Sequence, residues 1–219
     1  MKNNIADCST YLQDVCDVLK KKWPDNRTIN IVCHGHSVPA GYFNTPWVKP
    51  FSAYPHLLDR GIKARFPFAV VNVIVTAIGG EASDSGARRF NRDVLAINPD
   101  VITIDYSLND CGLGLENAKK AWVSMIERAR AKDLKVILLT PTPDTEYQVD
   151  DSDQVLQQHA QQVRAMAGKY KIGLVDSLAA FDAQIRKKVP LISLLSQINH
   201  PNAKGHKLVA DELLKWFPK

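Results

Sequence analysis

A chain of 219 residues with 45% hydrophobic residues, 23% charged residues and a formal net charge of +5 has a globular composition and the length for one well-buried core, expected as a single domain over residues 1–219. It contains no apolar run of about 18 residues, and its start, "MKNNIADCSTYLQDVC", lacks the continuous apolar segment of a secretory signal, so no membrane span and a cytoplasmic location are expected. The lysines cluster only briefly, as at Lys20 to Lys22 and at Lys187 with Lys188, without interleaved aromatics, and the charge reads as solvated surface with no nucleic-acid partner.

In chain order, an amphipathic pattern over residues 5–22 predicts a first helix, and the β-branched run "TINIVC" (28–33) predicts a strand buried on both faces. The strand runs directly into "GHSVPAG", which presents Ser37 in a glycine-flanked turn, and then into a proline-rich loop carrying Tyr42, Phe43, Trp47 and Phe51. Those aromatics suit either an acyl or sugar pocket or plain packing between loop and sheet. A helix over 54–65 and a strand over 69–76 follow, then "AIGGEASDSG" with Gly79 and Gly80. The helix expected over 86–97 carries Arg88, Arg89 and Arg92, read as a solvated face. A strand over 101–106 ends in "SLND" with Asn109 and Asp110. A helix over 115–132 and a strand over 135–140 lead to an acidic, proline-containing loop over 140–153. A helix over 152–170, a strand over 172–176, the segment "NHPNAKGH" and a last helix over 202–217, capped by Asn202, complete the chain.

Strands alternating with helices force parallel pairing and hence a three-layer α/β/α sandwich. Ligands of such sheets bind beyond the carboxyl ends of the strands. There the chain places a hydroxyl at Ser37, a glycine at Gly80 and an amide at Asn109, with His200 able to fold back from the segment before the last helix. Each suits acyl transfer. A serine needs an imidazole to take its proton during attack on an ester carbonyl, and the oxyanion that forms needs donors aimed at it. The backbone amides of Ser37 and Gly80 and the side chain of Asn109 are candidate donors, and His200 is the candidate base.

These blocks, "GHSVPAG", "IGGEASDSG", "LND" and "NHPNAKGH", come in the order of the SGNH hydrolases, the branch of the GDSL esterase and lipase superfamily that the chain resembles. The resemblance implies Ser37 as nucleophile, His200 as base, and Ser37, Gly80 and Asn109 as oxyanion hole. It further implies a flavodoxin-like parallel five-stranded sheet of order 2-1-3-4-5, an SGNH hydrolase fold, a small-molecule ester as substrate and no cofactor. Two positions depart from the family pattern. His36 stands where an aspartate usually precedes the serine. Gln197 stands where the triad acid lies three residues before the histidine. A glutamine carries no negative charge, though its amide oxygen can orient the ring by accepting the Nδ1 hydrogen. Asp110 and Asp144 are the other carboxylates that could reach the ring.

His34 and His36 lack partners at zinc spacing and suit packing and hydrogen bonding. The four cysteines, Cys8, Cys16, Cys33 and Cys111, form no CxxC pair and suit reduced thiols. No GxGxxG or GxxxxGK[ST] follows a strand, which disfavours a nucleotide-binding domain. Gln197 keeps a second reading open, a catalytically impaired carbohydrate- or small-ligand-binding relative.

Overall fold

The computed structural model describes residues 4–219. Its centre is a parallel sheet of β1 (Thr28–Gly35), β2 (Val70–Val75), β3 (Val101–Asp105), β4 (Lys135–Leu139) and β5 (Gly173–Val175), in the order β2-β1-β3-β4-β5. β1, β3 and β4 are interior, which explains why their sequences are apolar almost without alternation. Successive side chains still leave opposite faces. Ile29, Ile31 and Cys33 enter one core and Val32 the other. The first core is completed by α1 (Gln13–Leu19), α3 (Tyr54–Arg65), α8 (Ser177–Arg186) and α9 (Ala203–Leu214), through side chains such as Leu19, Leu58, Phe181 and Leu213. The second is filled from α4 (Ser83–Asp93), α6 (Leu115–Arg130) and the later turns of α7 (Val155–Tyr170), with Phe90, Trp122, Ile126 and Val163.

Two one-turn helices, α2 (Ser37–Ala40) and α5 (Ser107–Asp110), follow β1 and β3, and β6 (Leu195–Gln197) pairs antiparallel with β7 (His200–Pro201) just before α9. The α/β/α sandwich and its strand order are as expected from sequence. Several elements differ. The first helix is confined to Gln13–Leu19 because Asp7 Oδ1 takes the amide and hydroxyl of Ser9 at 2.8 and 2.7 Å, a local turn that competes with helix. α4 starts three residues early, at Ser83, whose amide is bonded at 2.8 Å by Asp110 Oδ1 from another element. It also stops at Asp93, with only a 3₁₀ turn over Leu95–Ile97 beyond it. α8 was not expected at all. Asp176, the last residue of the run that predicts a strand over 172–176, instead caps α8 by accepting the Ala179 amide.

Among the described residues no helix is long and apolar enough to cross a membrane.

Candidate active site

The carboxyl ends of β2, β1 and β3 lie side by side, and short hydrogen bonds tie their loops to one another. Gly35, the last residue of β1, sits so close to β3 that a Cβ there would lie 2.4 Å from the Asp105 carbonyl oxygen. The chain then leaves the sheet. His36 N–H donates to that same oxygen at 3.2 Å, and Ser37 opens α2 as a residue only 6% exposed. The next loop is anchored to the same spot, Ile78 N–H donating to Gly35 O at 3.0 Å. In it, Glu81 N–H donates to Ile78 O at 3.3 Å around Gly79 and Gly80, a turn whose third residue, Gly80, has φ +76°. Glycine enters that left-handed conformation without steric cost. Gly80 is exposed, with no atom near where its Cβ would be, and its amide donates to no protein acceptor among the described residues. Asn109, on α5, sends one Nδ2 hydrogen to the Glu81 carbonyl at 2.9 Å, leaving the second free.

His200 comes from the β6–β7 hairpin. Its Nε2 lies 3.0 Å from Ser37 Oγ and its Nδ1 lies 3.0 Å from the carbonyl oxygen of Phe43. A carbonyl only accepts, so Nδ1 carries the proton and Nε2 offers its lone pair to the serine hydroxyl. Burial lowers the His200 pKa below its ordinary value, the Phe43 carbonyl partly offsets this, and the nearby His36 adds to the lowering. The ring is thus neutral at neutral pH, the form that can accept a proton.

The expected orienting residue, Gln197, is not on the ring. Its Oε1 accepts the Thr45 amide at 2.7 Å and the Thr45 hydroxyl at 3.1 Å. The Gln197 side chain therefore pins the 42–48 hairpin that carries Phe43 O, while its backbone pairs with that of His200 across β6 and β7. Neither alternative carboxylate is a partner of the ring. Asp110 holds Ser83 N and, at 2.6 Å, Trp122 Nε1, and burial raises its pKa. Asp144 accepts the Glu146 amide at 3.0 Å.

His36, 1% exposed, caps α2 by accepting the Val38 amide at Nδ1 (3.3 Å), with Ser37 Oγ 3.4 Å from the same nitrogen. Its Nε2 faces Asp105 Oδ1 at 3.4 Å, and Asp105 also takes the Tyr54 hydroxyl at 3.1 Å. His34 is held by Thr76 Oγ1, Gly86 O and Tyr106 OH. Both histidines are hydrogen-bonded parts of the fold.

The arginines after the glycine loop divide. Arg88 and Arg92 are exposed, but Arg89 is 9% exposed and ion-paired with Glu81 and Asp93. It falls on the buried face of α4 with Ser83, Gly86 and Phe90, a spacing that could have identified it. The aromatics divide too. Phe43 is buried and stacks on His206 with ring centroids 5.6 Å apart, while Tyr42, Trp47 and Phe51 are exposed. The Tyr42 ring lies 6.0 Å from that of His200, and its hydroxyl end rests on Gly79, where a Cβ would come within 2.6 Å of Cζ. The 140–153 loop meets the histidine hairpin, Thr145 N–H donating to Ile198 O at 2.8 Å.

Comparison with known proteins gives a consistent picture. The model of the GDSL-like Lipase/Acylhydrolase family matches residues 33–208. The chain is similar in structure to an acetylxylan esterase from Geobacillus stearothermophilus, at 20% identity and a TM-score of 0.76 over 87% of this chain and 94% of that one. It is also similar to LAE5, an alpha/beta hydrolase enzyme from the metagenome of Lake Arreo, Spain, at 23% identity and a TM-score of 0.72 over 86% and 94%. A comparison with curated protein sequences finds no significant match.

Proposed function

The chain belongs to the GDSL-like lipase/acylhydrolase family, and from that premise we propose that it is a serine hydrolase of carboxylic esters working through an acyl-enzyme. The observation that carries the reading is the chain of contacts from Ser37 Oγ through His200 Nε2 and Nδ1 to Phe43 O, each 3.0 Å long. As Oγ forms its bond to the ester carbon, its proton passes to Nε2. The carbonyl oxygen takes the electron pair and is met by the amides of Ser37 and Gly80 and the free Nδ2 hydrogen of Asn109. As the carbon–oxygen bond of the leaving alcohol breaks, Nε2 returns the proton to that oxygen. Water then repeats the sequence on the acyl-enzyme, freeing the acid and Ser37.

The Phe43 carbonyl supplies the tautomer control usually left to a carboxylate, without its charge. The imidazolium formed in each step is consequently less stabilised than in a full triad, and a slower enzyme is expected. For substrate, the reading favours short-chain and acetyl esters, including those of carbohydrates. Tyr42 stands beside both His200 and Gly79, Trp47 and Phe51 expose apolar rings on the loop that follows Ser37, and the acetylxylan esterase shares the fold. The test is hydrolysis of p-nitrophenyl esters and acetylated xylo-oligosaccharides by wild type and Ser37→Ala. Acetate release lost in Ser37→Ala supports the reading. Sugar binding without turnover would instead identify the impaired, ligand-binding relative.

A further inference from the structure

The nucleophile and base are joined directly, but two of the three oxyanion donors, the Gly80 amide and the Asn109 side chain, stand on other segments, and one residue of the Gly80 loop has more partners than its position in a turn requires. Glu81 follows Gly80. Its amide closes the turn on Ile78 O at 3.3 Å, and its carbonyl takes Asn109 Nδ2 at 2.9 Å. These two donors, the Gly80 amide and the Asn109 side chain, are therefore referred to the backbone of this one residue. Its side chain points the other way, into the protein. Arg89 Nε lies 2.8 and 3.0 Å from the two carboxylate oxygens, Arg89 Nη2 bonds the carboxylate as well, and the Tyr106 hydroxyl donates to Oε2 at 2.9 Å. Arg89 also reaches Tyr106 OH at 3.1 Å and Asp93 at 3.2 Å. Tyr106 closes the loop of contacts, since its own carbonyl accepts the backbone amide of Asn109 at 3.1 Å.

Both charged side chains of this pair are 9% exposed. A buried ion pair is a weak source of net stability, because desolvation offsets its attraction, and well-packed apolar residues often serve as well. What a bidentate pair supplies and apolar packing does not is direction: the guanidinium fork admits one carboxylate orientation. We propose that Arg89 and Glu81 are positioning residues, a clamp that fixes the Gly80 amide and the Asn109 side chain where the oxyanion forms. The proposal rests on the ester-hydrolase reading above.

Glu81→Gln, which keeps shape and removes charge, and Arg89→Lys, which removes the fork, test it. Arg164→Lys is the control, because Arg164 makes a comparable forked pair with Asp176, at 2.7 and 2.9 Å, between α7 and the end of β5. Active sites are counted by taking fluorophosphonate labelling to completion, so unfolded protein does not enter the rate. Per site, Glu81→Gln and Arg89→Lys are expected to lower kcat on p-nitrophenyl acetate about 10- to 100-fold, short of losing a donor outright, with KM changed less than about 3-fold. Arg164→Lys should lower Tm without changing kcat per site. If Arg89→Lys does not fold, Glu81→Gln and the double variant Glu81→Ala with Arg89→Ala, which leaves no unpaired buried charge, carry the same expectation. Unchanged kcat per site in the clamp variants, or a fall matched by Arg164→Lys, would overturn the clamp while leaving the hydrolase intact. Absence of any Ser37-dependent turnover in wild type would overturn the hydrolase reading and the clamp with it.

Discussion

Phe43 contributes to the site through its backbone oxygen, its ring being occupied with His206. That division of labour explains how Gln197 can stand where an acid is usual without leaving the imidazole unheld. Gln197→Ala removes two hydrogen bonds to Thr45 and loosens the hairpin by roughly 1 kcal/mol per bond, so kcat on p-nitrophenyl acetate should fall less than about 10-fold. A fall near 10⁴-fold, as when a triad acid becomes its amide in serine proteases, would place Gln197 on the ring after all. Ser37, Asn109 and His200 could be singled out in the sequence because their side chains suit acyl transfer, and with Gly80 they stand in blocks that follow the order of the SGNH hydrolases the chain resembles. Phe43 O could not be, since every residue type presents the same backbone carbonyl with no mark in the sequence. Arg89 was misread because charge suggested solvent while its position on α4 marked the buried face.

At the scale of elements, the turns that carry the site depend on two glycines for different reasons. In Gly35→Ala the new Cβ would meet a backbone oxygen of β3 at 2.4 Å, which no side-chain adjustment relieves. In Gly80→Ala the Cβ meets nothing within 4 Å, and only the φ of +76° is strained, at a cost of about 1–2 kcal/mol. Thermal denaturation should therefore show Gly80→Ala folded with a modestly lower Tm and Gly35→Ala far more destabilised. The reverse order would mean that β1 and β3 can separate without loss. The longer strands were legible as continuous aliphatic, β-branched runs and the longer helices from their amphipathic period. The β6–β7 hairpin was not, with three and two residues and a proline in the second strand, nor was α8, which begins within a short apolar run that reads equally as strand.

For the whole molecule, the alternation of strands and helices made the parallel sandwich legible, the order β2-β1-β3-β4-β5 was implied only by the resemblance to the SGNH hydrolases, and the helix ends were the least legible. One property belongs to the interior as a whole. Burial holds His34 down to about 4 and His206 to about 3. Above pH ~6.5 these groups are neutral in folded and unfolded chains alike. Between that value and about 4 the unfolded chain takes up protons that the folded one refuses, so stability falls with pH across that window. The Tm measured from pH 7 to 4 should decline steadily. A flat profile would mean that these rings are protonated inside the fold.

The central claim is that the Ser37 hydroxyl is activated by a neutral His200, and the pH dependence of covalent labelling by a fluorophosphonate, with the adduct located by mass spectrometry, tests it most directly. A protonated ring cannot accept the serine proton, so labelling should be fast at high pH and fade as pH falls through the His200 pKa, which burial places below the ordinary histidine value. The account predicts a single adduct on Ser37, that pH profile, and at least a 100-fold slower reaction in His200→Ala. An adduct on another residue, or a rate indifferent to His200→Ala, would contradict it.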